Sequence, residues 1–270
     1  YQEKVNKKII SHKNMNLVSF GCSWTWGLGL SYYEGMTRDE YRLTKKDIDC
    51  AETYSFRALL AKKYNLSPTK NFSAGGSSNQ RQFRHAEWYF TPKKDLSNTI
   101  ILWGITSTAR DEVWRPHRND YKNVMLTRPY SPEELRTDPV ARWVTNERDH
   151  FYDHDHEVQC LYKKMCHWNE YFALKGAKVV WFDTLNHHHY ERPVDNMFGA
   201  YDKPRDLLSK LAEHKDKDDY HFSRSSAWED CNRISKLKKK GIVNPHSGHP
   251  TKEGHEILCD ILSPSIERCL

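Results

Sequence analysis

The chain has 270 residues, enough for one large α/β domain or two small ones. Its mean hydropathy of −0.88 and hydrophobic content of 37% make it polar, but the apolar residues are clustered, which favours a core carrying long polar excursions over general disorder. The net charge of +6 is modest and its acidic residues are interspersed with the basic ones, which argues against a dedicated nucleic-acid binder with its denser basic stripe.

Seven cysteines are scattered at 22, 50, 160, 166, 231, 259 and 269. The count is odd and no CxxC pair occurs, so reduced thiols in a cytoplasmic setting are the simpler reading than a disulfide framework. No signal peptide or membrane-spanning run is apparent, and no membrane partner is expected. The start, YQEKVNKKIISHKNMN, is polar and has no initiator Met, as a processed N-terminus would.

In chain order, Leu17 to Phe20 predicts a short strand ending at Gly21. Residues 31–50 read as an irregular, charged, tyrosine-rich excursion. Glu52 to Tyr64 (ETYSFRALLAKKY) has the apolar spacing of one helix. Thr69 to Ser73 predicts a second short strand. It runs into Ala-Gly-Gly-Ser-Ser-Asn, a turn that opens a helix through Arg81 to Phe90. Thr99 to Ile105 (TIILWGI) is apolar throughout, as a central strand covered on both faces would be. Residues 107–152 carry Pro116, Pro129, Pro132 and Pro139 among many charges and read as an insertion. His156 to Leu174 predicts a helix ended by Gly176, and Ala177 to Phe182 another buried strand. Residues 184–240 read as a second polar insertion, whose KDKDD and KLKKK runs are solvated faces. Gly241 to Val243 predicts a last short strand. Thr251 to Leu262 (TKEGHEILCDIL) predicts a C-terminal helix capped by Thr251.

Strands alternating with helices imply a parallel sheet with helices on both faces. Ligands of such sheets bind beyond the carboxyl ends of the strands. Those ends carry Gly21-Cys22-Ser23, Gly75-Gly76-Ser77-Ser78-Asn79, Gly104-Ile105-Thr106-Ser107 and His246-Ser247-Gly248-His249-Pro250. Together they offer hydroxyls, glycine N–H groups and imidazoles, the parts of an acyl-transfer site. Other readings of the first loop, LVSFGCSWTWGLGL, fit less well. No Lys follows Gly27 or Gly29 as a phosphate loop needs, and Tyr32 stands where G-x-G-x-x-G needs its last Gly. Thr25 stands where G-x-S-x-G needs its second Gly. Asp153-His154-Asp155-His156 and His187-His188-His189 are rich in metal-ligand types. Neighbours on one strand or loop point apart, however, and no HExxH or Cys₂His₂ spacing occurs, so no metal is expected.

The order of these blocks resembles the SGNH hydrolase superfamily, the GDSL-like esterases and lipases, and FGCSWTxG also resembles divergent phage-encoded members. Gly21-Cys22-Ser23 is similar to the first block, with Cys22 where Asp is common. Asn71-Phe72-Ser73-Ala74-Gly75-Gly76 fits the second. Gly104-Ile105-Thr106 fits the third, with Thr106 where the family has Asn. His249-Pro250 fits the end of the last block, with His246 at its usual Asp.

The resemblance implies a single three-layer α/β/α domain over 1–270, with a mainly parallel, flavodoxin-like sheet and the two insertions. It implies a serine esterase with Ser23 as nucleophile and His249 as base. Ser23, Gly76 and Thr106 would form the oxyanion hole, with no cofactor. His246 or Asp183, at the end of the AKVVWF strand, is a candidate to orient His249. Arg110, just past the third block, is a candidate to hold an anionic substrate. Trp24 and Trp26 are candidates to pack under the first loop or to line the pocket. The implied partner is a small-molecule or glycan ester, such as an O-acyl group of a carbohydrate, and the aromatic content of 13% suits sugar stacking. The altered acid and the long insertions motivate an alternative: an impaired scaffold used for binding or as a phage virion part, with virion proteins or further copies of the chain as partners. Nucleic acid as a partner rests on the basic runs alone.

Overall fold

The computed structural model describes residues 15–126, 128–184 and 243–270. The apolar runs at Asn16–Phe20 (β1), Thr69–Asn71 (β2) and Thr99–Ile105 (β3) are strands of one sheet. An antiparallel ribbon of Arg110–Arg115 (β4) and Asp120–Met125 (β5) follows. Lys178–Asp183 (β6) then returns to the main sheet, whose order β2-β1-β3-β6 is parallel throughout. Helices Ser23–Trp26 (α1), Arg38–Thr44 (α2), Ile48–Tyr54 (α3), Phe56–Lys63 (α4), Asn79–Phe90 (α5), Pro132–Thr137 (α6), Pro139–His150 (α7), His154–Leu174 (α8) and Lys252–Cys269 (α9) connect and cover these strands.

Alternation along each strand divides the core into two layers. Val18, Phe20, Ile101, Trp103, Ile105, Val179 and Trp181 point to one face. There they meet Phe83, Ala86 and Phe90 of α5 and Leu161, Met165 and Phe172 of α8. Leu17, Ile100, Leu102, Val180 and Phe182 point to the other and meet Phe56 and Leu60 of α4 and Leu258, Leu262 and Ile266 of α9. The result is an α/β/α sandwich. At the carboxyl end of the sheet Phe20, Trp103 and Trp181 are paired in register. Their rings stack at 4.6 and 4.8 Å, and Phe72, just past β2, stacks on Phe20 at 5.1 Å. Each such cross-strand pair adds about 0.5–1.5 kcal/mol beyond its buried area.

Several elements differ from the sequence expectation. The excursion at 31–50 contains α2 and the start of α3. Thr37 and Glu40 form a reciprocal capping box, and the Asp47 carboxylate accepts the Cys50 N–H, so the charged residues that suggested irregularity start helices. The single helix expected over Glu52 to Tyr64 is two, because Ser55 turns extended and its hydroxyl caps α4. The 107–152 stretch folds as the ribbon plus α6 and α7 around its own small cluster of Val124, Leu126 and Val144. The C-terminal helix runs past Leu262 and through Pro264 to Cys269. The bond Pro264 cannot make would fall on Asp260, an exposed position. Val243 makes an isolated antiparallel bridge to Pro250, while Gly241 and Ile242 lie outside the described residues, as do His187-His188-His189 and nearly all of the 184–240 insertion.

Trp103 sits in the middle of the ladder, fully buried. Trp103→Ala is expected to cost about 3–5 kcal/mol. Chemical denaturation would show this as a lower midpoint at an unchanged slope.

Candidate active site

β1 ends at Phe20, and Cys22 stays extended as the cap residue of α1, so Ser23 stands at the first position of a four-residue helix. Its backbone N–H is one that the helix itself leaves unpaired. The turn is tight because Thr25 folds back over it. A Cβ on Gly21 would lie 2.1 Å from Thr25 Oγ1 and one on Gly104 2.7 Å from the same atom, so both strand ends need glycine. Cys22 faces the core, where its thiol donates to Thr184 Oγ1 at 3.3 Å. Trp24 packs in the same layer with 1% of its surface exposed, so it lies under the loop as a core residue and does not line a pocket. Trp26 is half-buried and its carbonyl accepts from Arg57.

The far end of the chain supplies the second group. Asn244 is fully buried and organises the loop before α9. Its N–H donates to the His249 carbonyl at 2.7 Å, its carbonyl accepts from Gly248 at 2.8 Å, and its side chain accepts the His246 N–H at 2.8 Å. From the 31–50 excursion, Tyr41 donates its hydroxyl to Ser247 Oγ at 2.9 Å, and the Met36 carbonyl bonds His246 Nε2 at 2.7 Å. Gly29 lets the loop close. At φ +105 it is in the left-handed region, and a Cβ there would meet the His249 Cβ at 2.8 Å. His249 Nε2 thereby comes to 2.8 Å from Ser23 Oγ, across 226 residues of chain.

The other strand-end residues take the following places. The loop after β2 runs beside β1, with Phe72 N–H on the Ser19 carbonyl and Ala74 N–H on the Gly21 carbonyl. Ser77 N–H closes a turn onto the Ala74 carbonyl, and Gly76 holds the φ of +71 that the third position of a type II turn demands. Thr106 follows β3. Asn79 at the start of α5 clamps its backbone from both sides, accepting its N–H at 2.9 Å and donating to its carbonyl at 2.7 Å. The Thr106 hydroxyl is left buried with no hydrogen-bond partner among the described residues. His246 commits Nε2 to Met36 and packs against Tyr32 and Tyr41. Asp183 closes β6 in register with Ile105. Arg110 opens β4, and one of its terminal nitrogens, Nη1, is buried without an acceptor among the described residues.

The contacts of Asn79, Asn244, Tyr41 and Met36 have no local sequence signal. Asn79 ends a Gly-Gly-Ser-Ser-Asn run and reads locally as a helix start, and nothing local shows that its amide reaches 27 residues on.

Burial pushes the His249 imidazole down to about 4, helped by the charge of Arg110; the Ser247 backbone opposes this slightly. Ser247 nevertheless forms no well-aligned bond to the ring, and Nδ1 is buried without a hydrogen-bond partner among the described residues. In the tautomer whose Nε2 accepts from the Ser23 hydroxyl, the neutral ring carries its proton on Nδ1. His255, fully buried on α9, is pushed down to about 3 by burial, then by Arg57 and His249. Its Nδ1 accepts the Phe56 N–H at 3.2 Å. Among the described residues no three His, Cys, Asp or Glu side chains converge as a metal site, and no helix is long and apolar enough to cross a membrane. Cys22, Cys50, Cys160 and Cys259 are free thiols.

No family model and no curated protein matches the sequence. Solved structures do. Those it resembles include a G-D-S-L lipolytic protein, a phospholipase and a carbohydrate esterase. A member of the lipolytic protein G-D-S-L family from Veillonella parvula is 12% identical with a TM-score of 0.43, covering 94% of this chain and 99% of that one. Phospholipase A1 from Streptomyces albidoflavus is 13% identical with a TM-score of 0.43, covering 96% and 100%. A carbohydrate esterase is 13% identical with a TM-score of 0.44, covering 96% and 70%. These overlaps are loose.

Because both imidazoles are neutral in the fold, acid works against it. The unfolded chain takes up these protons near the ordinary value of 6.5, and the folded His249 only near 4. Stability present above about pH 6.5 is therefore lost as pH falls toward 4, on the order of 3 kcal/mol for His249. Denaturation at pH 7 and pH 4.5 is expected to show the loss, and His249→Gln is expected to reduce it.

Proposed function

We propose that the chain is a serine ester hydrolase of SGNH type, working through a Ser23–His249 dyad. The observation that carries this is the 2.8 Å contact between Ser23 Oγ and His249 Nε2, made by residues from opposite ends of the chain at the carboxyl edge of a parallel sheet. A free serine hydroxyl is a weak nucleophile, and it needs a base within such reach. Ser23 attacks the ester carbonyl as His249 takes its proton. The backbone N–H groups of Ser23 and Gly76 and the Thr106 hydroxyl receive the oxyanion. His249 then protonates the leaving alcohol, and water attacks the acyl-enzyme with the same base. An O-acyl group on a carbohydrate is the candidate substrate. Neither cofactor nor metal enters these steps.

A second reading has one observation in its favour. His249 Nδ1 has no acceptor among the described residues, where a triad carries a carboxylate, and loss of that carboxylate costs roughly 10⁴ in rate. An impaired scaffold used for binding, such as in a phage particle, would tolerate that.

A serine-directed fluorophosphonate and a small aryl acetate separate the two. Wild-type protein is expected to be labelled and to turn over the ester, and Ser23→Ala and His249→Ala to lose at least about 10³-fold of that rate. Equal turnover and no labelling in wild type and Ser23→Ala would end the hydrolase reading. For the free enzyme, kcat/KM is expected to hold down to about pH 4, where His249 takes a proton.

Thr106 gives a sharper test. Its hydroxyl has no partner among the described residues, so Thr106→Val is expected to leave stability unchanged or raised while lowering kcat by about 10²–10³. Thr106→Ser is expected to retain most of the rate. A Thr106→Val enzyme of wild-type kcat removes Thr106 from the oxyanion hole.

A further inference from the structure

Arg110 has a place in this site that the dyad does not use. It follows Thr106 by one turn, closed by the Arg110 N–H on the Ser107 carbonyl at 3.1 Å and by the Ala109 N–H on Ser107 Oγ at 3.2 Å. Since Asn79 clamps the Thr106 backbone, the start of β4 is held against the end of β3. From there the guanidinium stands near enough to His249 for its charge to act on the ring.

Other arginines set into the fold have acceptors. Arg57 reaches Glu52, Arg84 reaches Glu112, Arg115 reaches Asp120, and Arg81 reaches the Phe72 carbonyl. Arg110 makes no ion pair among the described residues, and its Nη1 is buried with nothing to donate to. The neighbouring carboxylates are turned elsewhere: Asp111 accepts the Glu112 N–H, and Glu112 holds Arg84. A buried cationic donor without an acceptor is costly. Here it also opposes protonation of the base. Both costs are relieved by an anion from outside.

We propose that Arg110 is the anion-binding residue of this site, and that the chain takes esters bearing a carboxylate or phosphate within reach of its guanidinium. This rests on the hydrolase reading above and narrows its substrate class. The anion would complete the donor set of Nη1 and screen the charge beside His249. An ester of this class would thus restore basicity to the imidazole on binding, and a neutral ester would not. Charge-assisted bonds of this kind are the stronger ones, and a planar guanidinium suits carboxylate and phosphate alike.

The test compares matched esters. Mono-4-nitrophenyl succinate against its methyl ester places the charge on the acyl side, and 4-carboxyphenyl acetate against phenyl acetate places it on the leaving alcohol. In one of the two pairs the charged ester is expected to have about tenfold or greater kcat/KM in wild type. That ratio is expected to fall to near one in Arg110→Gln and to be partly kept in Arg110→Lys. The ratio cancels any general effect of the substitution on the dyad. A ratio near one in both wild-type pairs, or one unchanged in Arg110→Gln, overturns the proposal. Calorimetry on Ser23→Ala with succinate and with inorganic phosphate gives a readout without turnover and tells carboxylate from phosphate. Binding at least tenfold weaker in Ser23→Ala/Arg110→Gln supports the proposal, and binding equal in the two, or absent from both, counts against it. Arg110-dependent anion binding in a chain whose ester turnover ignores Ser23 would sink the hydrolase reading and leave the anion site standing. Ser23-dependent turnover without charge preference would do the reverse.

Discussion

The stacking of Phe72, Phe20, Trp103 and Trp181 across the sheet is the constraint on which the rest of the structure depends. Parallel strands have evenly spaced, slanted hydrogen bonds that do little to choose a register. Four large rings at one level leave little choice, because a slip by one residue would turn every ring to the opposite face. The ladder lies at the carboxyl edge of the sheet. It therefore sets the height at which Ser23, Gly76 and Thr106 leave their strands. Glycines on that edge let Thr25 pack between β1 and β3.

A second constraint closes the site from outside the sheet. The loop carrying His249 is held by Asn244 within itself and by Met36 and Tyr41 from the 31–50 excursion. The excursion thus acts as a brace, and His246 is one of the points it grips. Among the buried polar atoms without partners in the described residues, four belong to residues at or just beyond strand ends or in the His249 loop: Thr25 Oγ1, Thr106 Oγ1, Arg110 Nη1 and His249 Nδ1. In an ordinary core such groups are paired. A donor already desolvated gains most when charge appears in front of it.

Much of this was legible in the chain. The TIILWGI run could be buried on both faces only as a central strand, and Gly21-Cys22-Ser23 and His249-Pro250 marked two ends of a site. Other features were hidden for identifiable reasons. Thr37, Asp47 and Ser55 are each caps, and a cap in a charged stretch looks like loop until its backbone partners are known. Asn79 and Asn244 act through backbone groups that they meet only after folding. The proline-rich stretch after Ser107 reads as an excursion, yet its ribbon begins with Arg110, whose charge acts on His249.

The sequence by itself determined the alternation of strands and helices, the two apolar faces of the sheet and the small, reactive residues at strand ends, because these follow from side-chain periodicity and turn chemistry along the backbone. Only the tertiary structure decided that Ser23 and not Cys22 meets His249, that His246 is spent on Met36, and that a buried donor of Arg110 has no partner among the described residues. Each of these turns on which way one side chain points at the end of a strand or loop. That direction is set by contacts with residues tens to hundreds of positions away, which no local pattern encodes.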